Sequence, residues 1–227
     1  GKNIPQGRMI ALVGDAELDE GNVYECLQEG WKHDLRNVWW IIDYNRQSLD
    51  GVVHEGLSER LSSVFEAFGW SLVILKYGKL QKKAFDEPGG HLLKKWIDDC
   101  PNQLYSALIY EGGSTFKKRV LDDIGDQDIV SKLINKRTDS EFLDLMANLG
   151  GHCVPTLIKA FENIIDDKPT AFIAYTIKGW GTPLAGHKDN HAGLMTKAQM
   201  NSFKSKYGIS DGNEWDRFSD EKNNIEL

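Results

Sequence analysis

The sequence predicts an open, mostly parallel α/β sheet with helices on both faces. Four short apolar runs, at residues 9–13, 38–42, 70–75 and 170–176, each stop in a polar or glycine-bearing turn. Unbroken apolarity, rather than alternation, is how a strand covered on both faces reads in a parallel sheet. Stretches with helical spacing separate the runs, and such alternation of strand and helix defines a parallel sheet. The turns begin at Gly14, Asp43, Lys76 and Ile177, and three of the four concentrate polar residues. Parallel strands deliver their carboxyl ends to one edge, which is where α/β sheets hold ligands.

The elements follow in order. Residues 9–13 are a strand that runs into Gly14 and Asp15. Asp19 is the expected N-cap of the next helix, with Leu18 and Val23 placed as a hydrophobic staple. Val23, Leu27 and Trp31, beside Cys26, make the apolar stripe of that helix. Residues 57–68 read as a second helix, with Leu57, Leu61, Val64, Phe65 and Phe68 on one side and Gly69 stopping it. Between residues 77 and 148 the strand signal lapses. Amphipathic segments at 92–99, 103–110, 116–124, 129–133 and 140–147 alternate there with Gly and Pro breaks, as in a helical insertion at one edge of the sheet. A helix at 154–165, the fourth strand, a polar loop at 178–194 and a helix near 197–207 complete the pattern. Expected, then, is one ligand-binding domain over residues 1–209, with an insertion at about 77–148, and a charged tail at 210–227. Trp39, Trp40, Trp70 and Trp96 are expected in the core or under the insertion, and Trp180 at the site. His33 and His54 read as surface or helix-end residues, His91 as structural, and His152 as a cap or a neighbour of the site.

Composition narrows the function. The 227 residues carry a net charge of −7, with 41% hydrophobic and 27% charged residues, which is ordinary for a globular protein. No basic cluster suits nucleic acid. No apolar run is long enough for a membrane helix. Cys26, Cys100 and Cys153 are too scattered for a zinc site or a disulfide framework, so a reducing, cytoplasmic setting is expected. A chain that opens almost at once on a core strand reads as a piece of something larger.

The stretch 14–51 holds the strongest chemistry. Asp15 lies at the mouth of the first strand, and Asn45 and Gln47 at the mouth of the second. A carboxylate, a carboxamide oxygen and a backbone carbonyl make a hard oxygen site suited to Mg2+ or Ca2+. Mg2+ keeps positions open for water and phosphate, so a diphosphate is its natural companion. A helix opening near Asp19 would direct free N–H groups to the same edge. Glu17, Asp19 and Glu20 would repel a bare diphosphate, so a bridging metal is required. The alternative is that these are ordinary turn residues, since Asp, Asn and Gly populate turns anyway. An unrelated Mg-nucleotide protein is disfavoured, because no GxxxxGK loop is present.

GDAELDEG, then DYN followed by RQSLDG, resembles the thiamine diphosphate motif of the transketolase-like superfamily. Within it, NRQSLDG resembles the NLQRLDG-type segment of the homodimeric, bacterial type of pyruvate dehydrogenase decarboxylating component. FEAFGW, LGGHCVPTLIKAF and AYTIKGWG are similar to further segments of that family, so the resemblance covers nearly the whole chain. The resemblance implies thiamine diphosphate and Mg2+ as cofactors, with Asp15, Asn45 and the backbone carbonyl of Gln47 as metal ligands. Gly14, Ala16 and Glu17 would line the diphosphate. Ala16 departs from the family's second motif glycine, and a methyl group there is tolerable if its φ is negative. Cys153 departs from the family's GGHD pattern.

The cofactor would supply the electron sink, and the protein anchoring and proton transfers. His191, with His187 as second candidate, would act as general acid or base or hold a substrate carboxylate. Lys178 would neutralise phosphate or substrate charge. The paired histidines of this loop resemble the transketolase pattern as much as the dehydrogenase one. The implied activity is oxidative decarboxylation of a 2-oxo acid such as pyruvate. The alternatives are transketolase-type ketol transfer and a non-catalytic assembly module with a vestigial site. Implied partners are a pyrimidine-binding domain of the same enzyme, a second copy in a homodimer, and the acyltransferase component of a dehydrogenase complex. Neither nucleic acid nor a membrane is expected. The isolated chain is expected to lack turnover, because the glutamate that activates the cofactor belongs to the pyrimidine-binding domain.

Overall fold

The computed structural model describes residues 7–48, 51–52 and 57–216. His54 and the last part of the tail, 217–227, lie outside the described residues. Strands β1 (Met9–Gly14), β2 (Val38–Tyr44), β5 (Ser71–Leu75) and β6 (Thr170–Tyr175) form one sheet in the order β1-β2-β6-β5. All its pairings are parallel, with Gly14 opposite Asp43, Tyr44 opposite Tyr175, and Leu75 opposite Ala174. The expected α/β class is therefore the observed one. A short antiparallel ladder, β3 (Gln47–Ser48) with β4 (Gly51–Val52), follows β2 and has no periodic signature in the sequence.

Helices cover both faces. Helix α1 (Gly21–Lys32) joins β1 to β2, and α2 (Leu57–Ala67) leads into β5. Their Leu27, Leu61 and Phe65 are buried in one cluster with Ile42, Tyr44, Ile173 and Tyr175. Helix α9 (Val154–Glu162) lies on the opposite face, where Phe161 stacks on Trp39 at 5.4 Å and meets Phe172 edge-on at 5.1 Å. Side chains alternate across a strand, so neighbours such as Trp39 and Trp40 serve different faces. That two-sided demand is why β2 is apolar throughout.

Strand β1 departs from the expectation of burial on both faces. Met9, Ile10 and Leu12 are 74%, 59% and 76% exposed. β1 is the edge of the described sheet, and the cluster under α9 reaches only as far as Trp39 and Ile41 on β2. Ile10 and Leu12 share the face of those two partners but lie beyond the helix.

Between β5 and α9 run α3 (Lys79–Phe85), α4 (Gly90–Asp99), α5 (Asn102–Glu111), α6 (Gly113–Ile124), α7 (Asp128–Asn135) and α8 (Asp139–Ala147). α3 has no counterpart in the sequence reading. Tyr77 and Leu149 pair as an isolated antiparallel bridge at the base of this helical unit. Phe116 and Phe142 are fully buried within it, and their cluster is continuous with the core on the sheet. Trp39, Trp70 and Trp96 are buried as expected, and Trp40 packs against the same core. The last described helix, α10 (Lys197–Lys206), carries a Thr196 capping box.

Candidate functional site

The strand order brings the carboxyl ends of β1, β2 and β6 side by side, which is where three polar turns meet. Asp15 follows β1 directly and is only 3% exposed. Its Oδ2 accepts the backbone N–H of Arg46 at 2.6 Å, and its Oδ1 accepts the N–H of Ala16 at 2.9 Å. Two halves of the sequence motif, 31 positions apart, thus close on one carboxylate. Asn45 Oδ1 accepts the N–H of Gln47 at 3.0 Å, which folds the second turn on itself. Lys178, just beyond β6, donates its ammonium to the Gln47 carbonyl at 3.3 Å. Asp15, Asn45, Gln47 and Lys178 therefore share one location.

The surroundings set the charge state. Burial pushes the Asp15 carboxyl above the usual carboxylate range, and the neighbouring Asp43 adds to this. The N–H groups of Arg46 and Ala16, and the Lys178 charge, act in the opposite direction. Asp43 itself accepts the Thr176 hydroxyl from the end of β6.

The local backbone differs from the expected helix start. Residues Asp15–Asp19 form a 3-10 turn, and α1 begins at Gly21 with Glu20, not Asp19, at the N-cap. Tight i→i+3 winding lets the chain leave the strand and still bury Leu18. Ala16 sits inside this turn with φ outside the left-handed region, so its methyl group is accommodated. The Gly14 N–H is taken by Glu17 Oε1 at 3.2 Å. Arg46, by contrast, has φ of +65°, a conformation that its residue type does not announce.

His187 and His191 are not drawn to these residues. The His187 ring meets Tyr110 of α5 at 4.5 Å, and its Nδ1 accepts the Asp189 N–H at 3.2 Å. His191 is exposed. No hydrogen bond or ring contact joins either imidazole to Asp15, Asn45, Gln47 or Lys178 among the described residues. The loop folds onto its own start instead, with Asn190 Nδ2 donating to the Lys178 carbonyl at 2.8 Å.

Two neighbours of the site had weak signals in the sequence. His152 Nε2 accepts the N–H of Ile177 at 2.8 Å and its ring stacks on Trp180 at 4.5 Å, so it props the turn that launches Lys178. Burial lowers its pKa to about 4, which keeps the imidazole neutral. Trp180 is 55% exposed and lies on His152. Arg46 is the second, and only its position between two expected ligands marked it.

The donor set suits a hard divalent cation in its chemistry. Asp15, Asn45 and the Gln47 carbonyl are all oxygen donors, and the Gln47 carbonyl already accepts a cationic group. The Gln47 side-chain oxygen is buried with no hydrogen-bond partner among the described residues. Among those residues, no group of three or more His, Cys, Asp or Glu is placed to share a metal ion, so Asp15 is the one carboxylate of the candidate donor set. A cavity of about 640 Å3 lies between α3 and α9, lined by Val73, Lys82 and Lys159 among others, and none of Asp15, Asn45, Gln47 or Lys178 lines it.

The class defined so far is a parallel α/β domain whose carboxyl edge gathers an oxygen-donor turn. The chain is similar over most of its length to the pyruvate dehydrogenase E1 component. With that protein of Buchnera aphidicola from Schizaphis graminum it shares 27% identity over 221 residues, 94% of this chain and 24% of the relative. With that of Corynebacterium glutamicum it shares 25% over 215 residues, 92% of this chain and 23% of the relative. The Escherichia coli K12 protein is 24% identical over 207 residues. The chain thus spans about a quarter of the length of these curated relatives. The family resemblance read from the motifs is borne out by them. A solved transketolase from Campylobacter jejuni overlays on 90% of this chain and 21% of its own, at 17% identity and a TM-score of 0.49. No family model matches.

Proposed function

We propose that this chain is the diphosphate- and Mg2+-binding domain of a thiamine diphosphate-dependent enzyme that oxidatively decarboxylates a 2-oxo acid such as pyruvate. The observation that carries the reading is the hydrogen bond from Arg46 N–H to Asp15, which sets the carboxylate beside Asn45 and Gln47. Asp15, Asn45 and the Gln47 carbonyl hold the metal, and Gly14, Ala16 and Glu17 border the diphosphate. Lys178, already resting on Gln47, balances phosphate or substrate charge. When bound, the thiamine ring system supplies the electron sink for loss of carbon dioxide.

The protein's own contributions are anchoring and charge. Asp15 is buried at little conformational freedom, so it presents a fixed negative group to a cation. Its raised pKa makes an uncompensated charge there costly, and a divalent ion offsets that cost. His191 and His187 serve as proton-transfer groups only if the loop that carries them turns toward the edge. Residues 1–209 make up the domain, with 77–148 as its insertion. A pyrimidine-binding domain completes the site, and a second copy and an acyltransferase component are the expected partners. A reducing, cytoplasmic setting belongs to this reading, and the three cysteines are free. No described helix is long and apolar enough to cross a membrane.

The test is equilibrium binding of thiamine diphosphate to the purified chain, with Mg2+ and then with the metal chelated. Binding that requires Mg2+ is expected. Metal-independent binding contradicts the metal-bridged reading.

A further inference from the structure

The proposed reading uses the backbone N–H of Arg46 but leaves its side chain without a task. Three non-glycine residues have positive φ among those described: Asp34, Asn37 and Arg46. Asp and Asn tolerate that conformation through their short polar side chains. Arg has no such excuse, so its surroundings must hold it there. Those surroundings are explicit. The Arg46 backbone N–H is fixed to Asp15. Its guanidinium, in a residue only 8% exposed, donates from Nη1 to Asn102 Oδ1 at 3.1 Å, on the first residue of α5. Nη2 reaches the Thr176 carbonyl at 3.5 Å. The rings of Tyr105, also on α5, and Tyr175, on β6, lie 5.8 Å and 5.5 Å from its central carbon.

This buried cation has no ion-pair partner among the described residues. Burying an unpaired charge is expensive, and cation–π contacts and carbonyl acceptors only partly offset it. A core strut would be served better by an apolar side chain, so the charge needs another reason to be there. The two anchors supply one. The backbone end of Arg46 fixes the turn that joins Asn45 to Gln47, and the side-chain end is gripped by the helical unit. With both ends held, the strained left-handed backbone of Arg46 is over-determined by its surroundings.

We propose that Arg46 is a positioning residue that couples α5 of the helical insertion to the metal-binding turn, so that the insertion sets the ligand geometry of Asn45 and Gln47. This rests on the metal-binding reading above. The α5 end of the latch is Asn102, and Tyr105 one turn further on is the ring beneath it. The insertion is then a part of the site, although it supplies none of the proposed ligands.

The test is a double-substitution cycle on the purified chain, using Arg46→Met, which keeps the stem and removes the donors, and Asn102→Leu. The first readout is the Mg2+ concentration that half-saturates thiamine diphosphate binding. Each single substitution is expected to raise it on the order of tenfold, as loss of a supporting contact does at metal sites. The double variant should then be no worse than the weaker single. A purely structural role would lower the unfolding midpoint and leave the Mg2+ requirement of the folded protein unchanged, which would overturn the proposal. So would factors that simply multiply in the double variant. The second readout is amide hydrogen exchange without any ligand. Arg46→Met should speed exchange together at residues 45–47 and 103–106, and unchanged exchange at either segment would contradict the coupling. If the wild type bound no cofactor, the functional reading would fail while the exchange experiment still decided the latch.

Discussion

Arg46 donates its backbone N–H to Asp15 Oδ2 at 2.6 Å, across 31 positions of sequence. This single contact ties the turn after β1 to the turn after β2. It also explains why a buried carboxylate is retained at the sheet edge, since Asp15 accepts a second N–H from Ala16 at 2.9 Å. Buried backbone donors need acceptors, and here one side chain satisfies two of them.

Removing that side chain exposes the debt. Asp15→Ala leaves both N–H groups without their acceptor, and an orphaned buried donor costs about 1–3 kcal/mol. Urea unfolding should show a loss of that order, with the midpoint falling and the slope unchanged.

Lys178 has a divided role. Its ammonium rests on the Gln47 carbonyl at 3.3 Å, the oxygen proposed to bind the metal. Lys178→Met should therefore help Mg2+ on its own and hinder the diphosphate. Calorimetry is expected to give tighter binding of Mg2+ alone, and several-fold weaker binding of thiamine diphosphate at saturating Mg2+. Weakening of both would argue that Lys178 merely supports the loop.

His152 gives stability a pH dependence of known sign. Its folded pKa is lowered to about 4 from an ordinary 6.5 because burial penalises the cation. Between those values the unfolded chain binds the proton and the folded one does not, so stability rises with pH across that window. Acidification from pH 6.5 toward 4 should therefore destabilise the protein, and His152→Gln should flatten that part of the profile. Chemical unfolding at pH 7 and at pH 5, for both proteins, checks this.

Gly186 pins the polar loop to the insertion. Its φ is +75°, and a Cβ added there would come within 2.4 Å of the Ser106 carbonyl. Gly186→Ala combines backbone strain of about 1–2 kcal/mol with that clash. The loop carrying His187 and His191 should lift from α5, and limited proteolysis within 183–191 should accelerate severalfold.

Much of this was legible in the sequence, for physical reasons. Apolar runs such as 38–42 and 170–175 revealed strands because both of their faces are packed. The same inference misjudged β1, where Met9, Ile10 and Leu12 are apolar yet exposed at the described edge. Apolarity reports what a strand can bury, not what lies beside it. The meeting of Asp15 with the turn 45–47 followed from the parallel order, and so did the approach of Lys178. Positions set by the loop were not legible. His187 turned to Tyr110, a contact made by the tertiary fold with no local signal. Helix α3 went unseen because a lysine-rich stretch between Gly78 and Pro88 carries little periodic apolarity. Arg46 was hidden for the opposite reason: its left-handed backbone is imposed by partners 31 and 56 positions away, and its own residue type argues against it.

The central claim is that Asp15 anchors a metal-bridged diphosphate, and calorimetric titration of thiamine diphosphate into wild type and Asp15→Asn, each with and without Mg2+, tests it most directly. The asparagine keeps the shape and one acceptor oxygen while removing the charge. Mg2+-dependent binding by the wild type and its loss, at least a hundredfold, in Asp15→Asn is the expected result. Equal affinity in the two proteins, or binding indifferent to Mg2+, would contradict it.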